Sequence, residues 1–416
     1  MNIYAIIILA ALLFDYLLNL TGGYLNLKSL KKDLPKEFEG VYDEDEYRRS
    51  QEYTRERARF GFISSTFSLF FVLAFWFLGG FNYLDQVVRD WGLGLIPTGL
   101  FYISILMLGQ TILSLPFSLY STFVIEEKYG FNKTTPTTFA ADMAKGLLLS
   151  ALLGLPLLAG IIWFFEFAGL YAWLYAWGAA TAFILVVQFI APTWIMPLFN
   201  KFIPLEGGEL KRAILDYAKS VDFPLGDVYM IDGSKRSTKS NAFFTGFGKN
   251  KRIALFDTLI EKHTVPELVS VLAHEIGHYK KKHIQKSMII SILHMGAMFG
   301  LLQIFLTSQG LFDAFYMEQT SVYAGLIFFG MLFAPIEMFL SIFMQMFSRK
   351  NEFEADRFAA ETTGEPETMV QVLKKLSVDN LSNLTPHWFY VFINYSHPPT
   401  MKRIAAIRQY SDKKNL

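Results

Sequence analysis

The 416-residue chain contains no cysteine. A disulfide framework and a thiolate metal site are therefore both excluded, and any metal must be held by His, Asp or Glu. The absence is compatible with any redox compartment. Charge is also sparse: 18% of residues are Asp, Glu, Lys or Arg, against roughly 25% in an ordinary soluble domain. The net charge of +1 exerts no bulk pull on nucleic acid, and none is expected as a partner. No internal repeat is visible, which weakens a transporter built on inverted repeats.

What the chain has instead is apolar sequence. Hydrophobic residues make up 52% and aromatics 16%, and the mean hydropathy is +0.31. These residues gather into runs that a soluble core would not need. A bilayer core requires about 20 apolar residues in a helix. Seven runs qualify, near 3–20, 61–81, 99–125, 146–166, 170–196, 285–307 and 322–347. The first lacks a basic start, and Tyr16 to Leu20 offers no small-residue cleavage site, so it reads as a retained anchor.

The connecting segments set an orientation. Residues 22–60 carry nine Lys or Arg, and 126–145 carry Lys128, Lys133 and Lys145. The segment 197–284 and the tail after 348 are also basic, whereas 82–98 has only Arg89 and 308–321 has no Lys or Arg. This asymmetry places the long segments in the cytoplasm, with the N-terminus outside or lumenal and the C-terminus inside. The acidic run Asp43-Glu44-Asp45-Glu46 reads as solvated loop, without assigned function.

Two polar segments flank the last two runs. In 197–284, a helix is expected near 209–221 and short strands at Val228–Ile231 and Arg252–Phe256. Thr264-Val265-Pro266-Glu267 has the form of a capping box with proline in the first turn of a following helix. In 348–416 a helix is expected from Ser348 to Thr362, stopping before Gly364, and another over 367–376. The expected division is 1–196 (five membrane helices and cytoplasmic loops), 197–284, 285–347 (two membrane helices) and 348–416.

The capped helix carries His274-Glu275-Ile276-Gly277-His278. Histidines four apart share a helix face, so both imidazoles can reach one zinc ion. Glu275 projects close enough to take a proton from a water held there, which is the core of a zinc protease site. A catalytic zinc usually has three protein ligands and one open position. The candidates for the third are Glu352 and Asp356, four apart in Asn351-Glu352-Phe353-Glu354-Ala355-Asp356, with Glu354 pointing away. One of the pair can bind the metal while the other accepts the outer N–H of a ligand histidine. His283, beside Lys280, Lys281 and Lys282, marks the border of the sixth run, and His263 and His387 fit no pattern. His397, in Ser396-His397-Pro398-Pro399, sits in a rigid turn where structural and catalytic roles are both open. His294 and Glu337 lie within the sixth and seventh runs, where an ionisable group must face protein or water. They either line a wet interior or bond helix to helix.

Taken together these residues resemble the type I CAAX prenyl protease family, the membrane-integral zinc metalloendopeptidases. The likeness extends in order along nearly the whole chain. It includes Glu126-Glu127-Lys128-Tyr129-Gly130-Phe131-Asn132, Pro197 to Phe202, Ser234 to Ser237 with Ser240 to Phe243, Lys251 to Ile253 with Phe256 to Leu259, Ser348-Arg349 through Asp356, and Ser396 to Pro399. The resemblance implies an α-helical integral membrane protein, with seven helices as a barrel around a water-filled chamber. It also implies a mostly helical protease domain with a small β element. It implies one Zn2+, Glu352 as third ligand and Asp356 supporting the ligands from behind. Asn241, with Ala242 and Phe243, is expected on a strand that aligns substrate; His397 and Arg403 are expected near the metal, His397 stabilising the reacting carbonyl. The implied activity releases the C-terminal tripeptide of prenylated CAAX proteins. The membrane expected is a bacterial inner membrane or the endoplasmic reticulum. The expected partners are a peptide or protein substrate and the lipid bilayer. The alternatives are a broader protease for membrane protein quality control and, further off, a transporter or scaffold with structural zinc.

Overall fold

The computed structural model describes residues 1–245 and 252–414; Lys251, part of the expected family stretch, lies outside them. The apolar runs fold as seven helices long enough to cross a membrane: Ile3–Lys28, Glu44–Phe77, Leu95–Glu126, Pro136–Phe167, Gly169–Leu198, His283–Phe305 and Val322–Thr363. Only 6–17% of the apolar window in each is buried. A filled bundle would bury the inner face of every helix, so the low value fits a barrel of helices with accessible surface on both sides.

Several helix ends differ from expectation. The second span stops at Phe77 because Gly79 adopts a left-handed φ of 76°. The sixth stops at Phe305, short of 307. The acidic run is not loop: Asp43 caps the second span, and Glu44, Asp45 and Glu46 form its first turn, where the positive end of the helix dipole favours carboxylates. No separate helix begins at Ser348. Val322–Thr363 is one helix of 42 residues, ending at the left-handed Gly364. At 1.5 Å per residue it is about 63 Å long, roughly twice the bilayer core, so its second half carries Glu352 and Asp356 out of the apolar layer.

The largest apolar core lies at the opposite end of the barrel, where Trp76, Phe81, Tyr102, Phe312, Phe315 and Phe328 pack together. Phe315 stacks on Phe328 with ring centroids 3.9 Å apart, and Trp76 Nε1 donates to the Ala314 carbonyl at 2.7 Å. Between the two ends, His294 Nε2 lies 3.1 Å from Glu337 Oε2, joining the sixth and seventh spans, with the two side chains 30% and 54% exposed. The two groups pair and also remain accessible. Because the chain has no cysteine, a cysteine placed at either position would be its only thiol. Both are expected to react with a water-soluble thiol reagent; no labelling would count against a wet interior.

The soluble part joins a four-stranded sheet to helices. Strands β1 (Phe202–Pro204), β2 (Asp227–Ile231), β3 (Ala242–Thr245) and β4 (Arg252–Phe256) lie in the order β1-β2-β4-β3. β2 and β4 are parallel and the outer pairs antiparallel. Val228, Ile253 and Leu255 pack against Leu268, Leu272 and Ile276 of the motif helix. A further cluster was not foreseen: Phe38, Tyr42 and Tyr47 of the first polar segment pack on Met369, Leu373, Ile404 and Ile407. The first polar segment is thus part of the cap that carries the sheet and the last helices.

The motif helix, Val265–Lys280, starts as read from sequence, with the Thr264–Glu267 capping box and proline in its first turn. Glu267 is buried, accepts from the Thr264 amide at 2.9 Å and pairs with Lys375 at 2.7 Å. Burial alone would raise its pKa, but Lys375 and the Thr264 N–H outweigh that and hold it below the ordinary range. A lowered folded-state pKa gives stability that is present above the ordinary carboxylate range and lost as pH falls through the lowered value. Glu267→Gln is expected to cost about 0.5–2 kcal/mol near neutrality and to flatten the acid limb of a thermal-melting profile. An unchanged acid limb would contradict the assignment.

Candidate metal centre and active site

The 3.6-residue period places His274 and His278 one turn apart on the motif helix, their Nε2 atoms 3.1 Å from each other. Glu352 reaches them from the long last helix: Oε1 is 3.4 Å from His278 Nε2 and Oε2 is 3.5 Å from His274 Nε2. The three donor atoms lie within 4.8 Å of one another. Glu352 Oε2 is buried and, among the described residues, receives no hydrogen bond. A buried acceptor without a donor, facing two imidazole nitrogens, fits a cation between them. Two nitrogens and one oxygen also form the donor set of a catalytic site with one position left for water or substrate.

Gly277 brings the two helices this close. A Cβ there would lie 3.1 Å from Ala355 Cα, 3.2 Å from the Ala355 carbonyl oxygen and 3.3 Å from Phe358 Cβ. Gly277→Val should force the helices apart, costing about 1–3 kcal/mol and weakening metal retention in chelator competition. Wild-type retention would show that the close approach is not needed.

Behind these three residues, Asp356 is fully buried, with Oδ1 2.9 Å from His274 Nδ1. Arg403 donates to both Asp356 oxygens at 2.7 and 2.5 Å, and its other terminal nitrogen lies 3.5 Å from Glu352 Oε2. The guanidinium therefore offsets two carboxylates that would otherwise repel at close range. Burial pulls the His274 imidazole down in pKa, but the neighbouring Asp356 and Glu352 carboxylates outweigh it and hold the ring at about 9. Unmetallated, the site would gather a proton where a divalent cation can sit. Glu275 is pushed above the ordinary carboxylate range by burial, against the pull of both histidines.

His397 Nε2 stands 3.4 Å from Glu352 Oε1, and Ser396 Oγ is 2.9 Å from His397 Nδ1. Arg349 donates to the Val391 and Tyr395 carbonyls and so secures the turn that carries this histidine. Burial pushes the imidazole below its ordinary pKa.

Asn241, Ala242 and Phe243 lie at and just before β3, an edge strand beside the motif helix. The Phe256 amide donates to the Asn241 carbonyl at 3.1 Å. In an antiparallel ladder such pairs alternate, so the backbones of Asn241 and Phe243 face β4 and those of Ala242 and Phe244 face outward. The Asn241 side chain accepts from the Ala242 amide at 2.9 Å. The segment before β3 is clamped to the membrane helices. Arg236 donates twice to Asp142, at 2.7 and 2.9 Å; Lys239 lies 2.8 Å from Glu126 and 2.9 Å from the Tyr53 hydroxyl, over the Phe131 ring. The stretch Glu126 to Asn132 thus acts as the seat of the edge strand.

The structure therefore brings together His274, Glu275, His278, Glu352, Asp356, His397 and Arg403, with the Asn241 strand alongside. Sequence reasoning gave Arg236, Lys239, Gly277 and His283 no role in the site. His283 is not simply a border residue: it is buried and touches His278.

Residues 23–201 match the family model described as CAAX prenyl protease N-terminal, five membrane helices, and residues 204–411 match peptidase family M48. A CAAX prenyl protease 1 homolog of Oryza sativa subsp. japonica is 38% identical, over 97% of this chain and 98% of its own. The CAAX prenyl protease 1 of Saccharomyces cerevisiae is 34% identical over 94% and 93%, and the Homo sapiens homolog 33% over 96% and 94%. The crystal structure of S. mikatae Ste24p has a TM-score of 0.92 at 32% identity, covering 98% of this chain and 99% of that one.

Proposed function

Since the chain belongs to the type I CAAX prenyl protease family of membrane-integral metalloendopeptidases, we propose that it is zinc-dependent and removes the C-terminal tripeptide of prenylated CAAX proteins at the cytoplasmic membrane face. The observation that carries this reading is the His274–His278–Glu352 cluster, with Glu275 on the same helix and the edge strand β3 alongside. The basic segments on that side support the cytoplasmic assignment.

A bound zinc ion would supply Lewis acidity, polarising the scissile carbonyl and making water a stronger acid. Glu275 takes a proton from the attacking water and passes it to the leaving amine as the C–N bond breaks, yielding a carboxylate and an amine. Burial raises its pKa above the ordinary carboxylate range, which suits a group that both accepts and returns a proton. The Ser396 hydroxyl, by donating to His397 Nδ1, leaves the Nε2–H of the neutral ring to stabilise the oxyanion. The substrate adds as a strand to β3, taking hydrogen bonds from the outward backbone of Ala242 and Phe244. Asn241, now bonded to the Ala242 amide, re-pairs with the substrate backbone.

The test is cleavage of a farnesylated CAAX peptide beside its unprenylated twin by purified, zinc-loaded protein, with products identified by mass. Lipid-dependent cleavage after the modified cysteine is expected. Equal cleavage of both peptides would retain the peptidase and withdraw the prenyl requirement.

A further inference from the structure

Each ligand histidine has an outer nitrogen, and for His278 its partner is another histidine. His278 Nδ1 lies 3.1 Å from His283 Nδ1, and His283 Nε2 lies 3.1 Å from Glu354 Oε2. His283 is 3% exposed, while Glu354 is 36% exposed and near Lys350. We propose that Glu354 and His283 are positioning residues that fix the tautomer and ring angle of His278 and thereby raise the affinity of the metal site. The inference rests on the metallopeptidase reading and extends it.

The proton inventory admits one arrangement. A neutral imidazole has one N–H and one bare nitrogen. His278 must keep Nε2 bare toward Glu352 and His274, so its Nδ1 carries hydrogen. His283 Nδ1 must then accept, which places the hydrogen of His283 on Nε2, where it donates to the Glu354 carboxylate. The opposite tautomer of His283 would set two N–H groups against each other and turn a bare nitrogen toward Glu354 Oε2. Glu354 therefore selects the tautomer of His283, and His283 selects that of His278. The carboxylate at the end of the chain also makes the His278 ligand more basic. His274 receives the corresponding support from Asp356.

The backbone makes this contact possible. In an unbroken helix a residue five positions on lies about 140° around the axis from its partner. The motif helix ends at Lys280, and Lys282 takes a left-handed φ of 59°, turning His283 into the first position of the sixth span and back onto His278. Without these turn residues, the spacing of five carries no signal.

The test measures Zn2+ affinity of the full-length protein in detergent by competition with a chelating indicator. Wild type and Glu352→Ala serve as references. His283→Leu and Glu354→Leu are expected to bind Zn2+ about 10–100-fold more weakly. His283→Asn can still accept from His278, and Glu354→Gln can still accept from His283, so each should restore affinity to within about threefold of wild type. Wild-type affinity in Glu354→Leu, whose side chain is partly exposed and not needed for packing, would overturn the inference. So would His283→Asn binding as weakly as His283→Leu, since packing rather than hydrogen bonding would then be the cause. If wild type itself binds no Zn2+, the metallopeptidase reading fails instead.

Discussion

Replacing Glu275 by glutamine is expected to leave one metal ion per chain and to lower kcat by about 10²–10⁴-fold, the usual contribution of a positioned acid–base group. Glutamine has nearly the same shape, so the helix packing around Ile276 and Gly277 survives. What it lacks is a lone pair basic enough to take a proton from water. The motif helix places this carboxylate next to His274 and one turn before His278, and burial raises its pKa above the ordinary carboxylate range. Elemental analysis of the purified variant, paired with a chromatographic cleavage assay, separates the two effects. Full metal content with substantial turnover would remove Glu275 from the mechanism.

Glu352→Ala should act on the metal itself. The substitution removes one of the three donors and leaves His274 and His278 alone. It also leaves Arg403 with Asp356 as its remaining partner here, so the buried guanidinium stays paired and the fold is expected to hold. Metal affinity should fall beyond the roughly 10–100-fold that loss of an outer hydrogen-bond partner costs, and activity should fall with it. Wild-type metal content in this variant would mean that the third donor has been misassigned. Asp356→Ala makes a useful contrast: it removes both short hydrogen bonds of Arg403 and leaves only Glu352 at 3.5 Å, so part of its effect should appear as lost stability.

The local features of the site were legible because they follow short periods. His274 and His278 are four apart, as are Glu352 and Asp356, and the Thr264–Glu267 box announces its helix within four residues. The seven apolar runs were legible for the same reason: a bilayer demands length and composition, both local properties. What remained hidden depends on non-local contacts or on single backbone angles. Phe38 and Tyr47 pack on Ile404 and Ile407, more than 350 positions later in the chain, and no periodicity encodes that. The three-residue strand β1 is too short for an alternation to show, and the four-residue β3 was expected only from the family resemblance. His283 was read as a membrane border because the turn at Lys282 is invisible to a helical wheel. Glu354 does point away from the ligand face, as expected, but what it points toward emerges only once the helices are assembled.

The most direct measurement titrates metal-free protein with Zn2+ while following cleavage of a farnesylated CAAX peptide. The account predicts no cleavage before metal, activity rising to a plateau at one equivalent, and turnover about 10²–10⁴-fold lower at every zinc level in Glu275→Gln. Cleavage that persists in excess chelator, or that needs two equivalents, would contradict a single-ion site built on His274, His278 and Glu352.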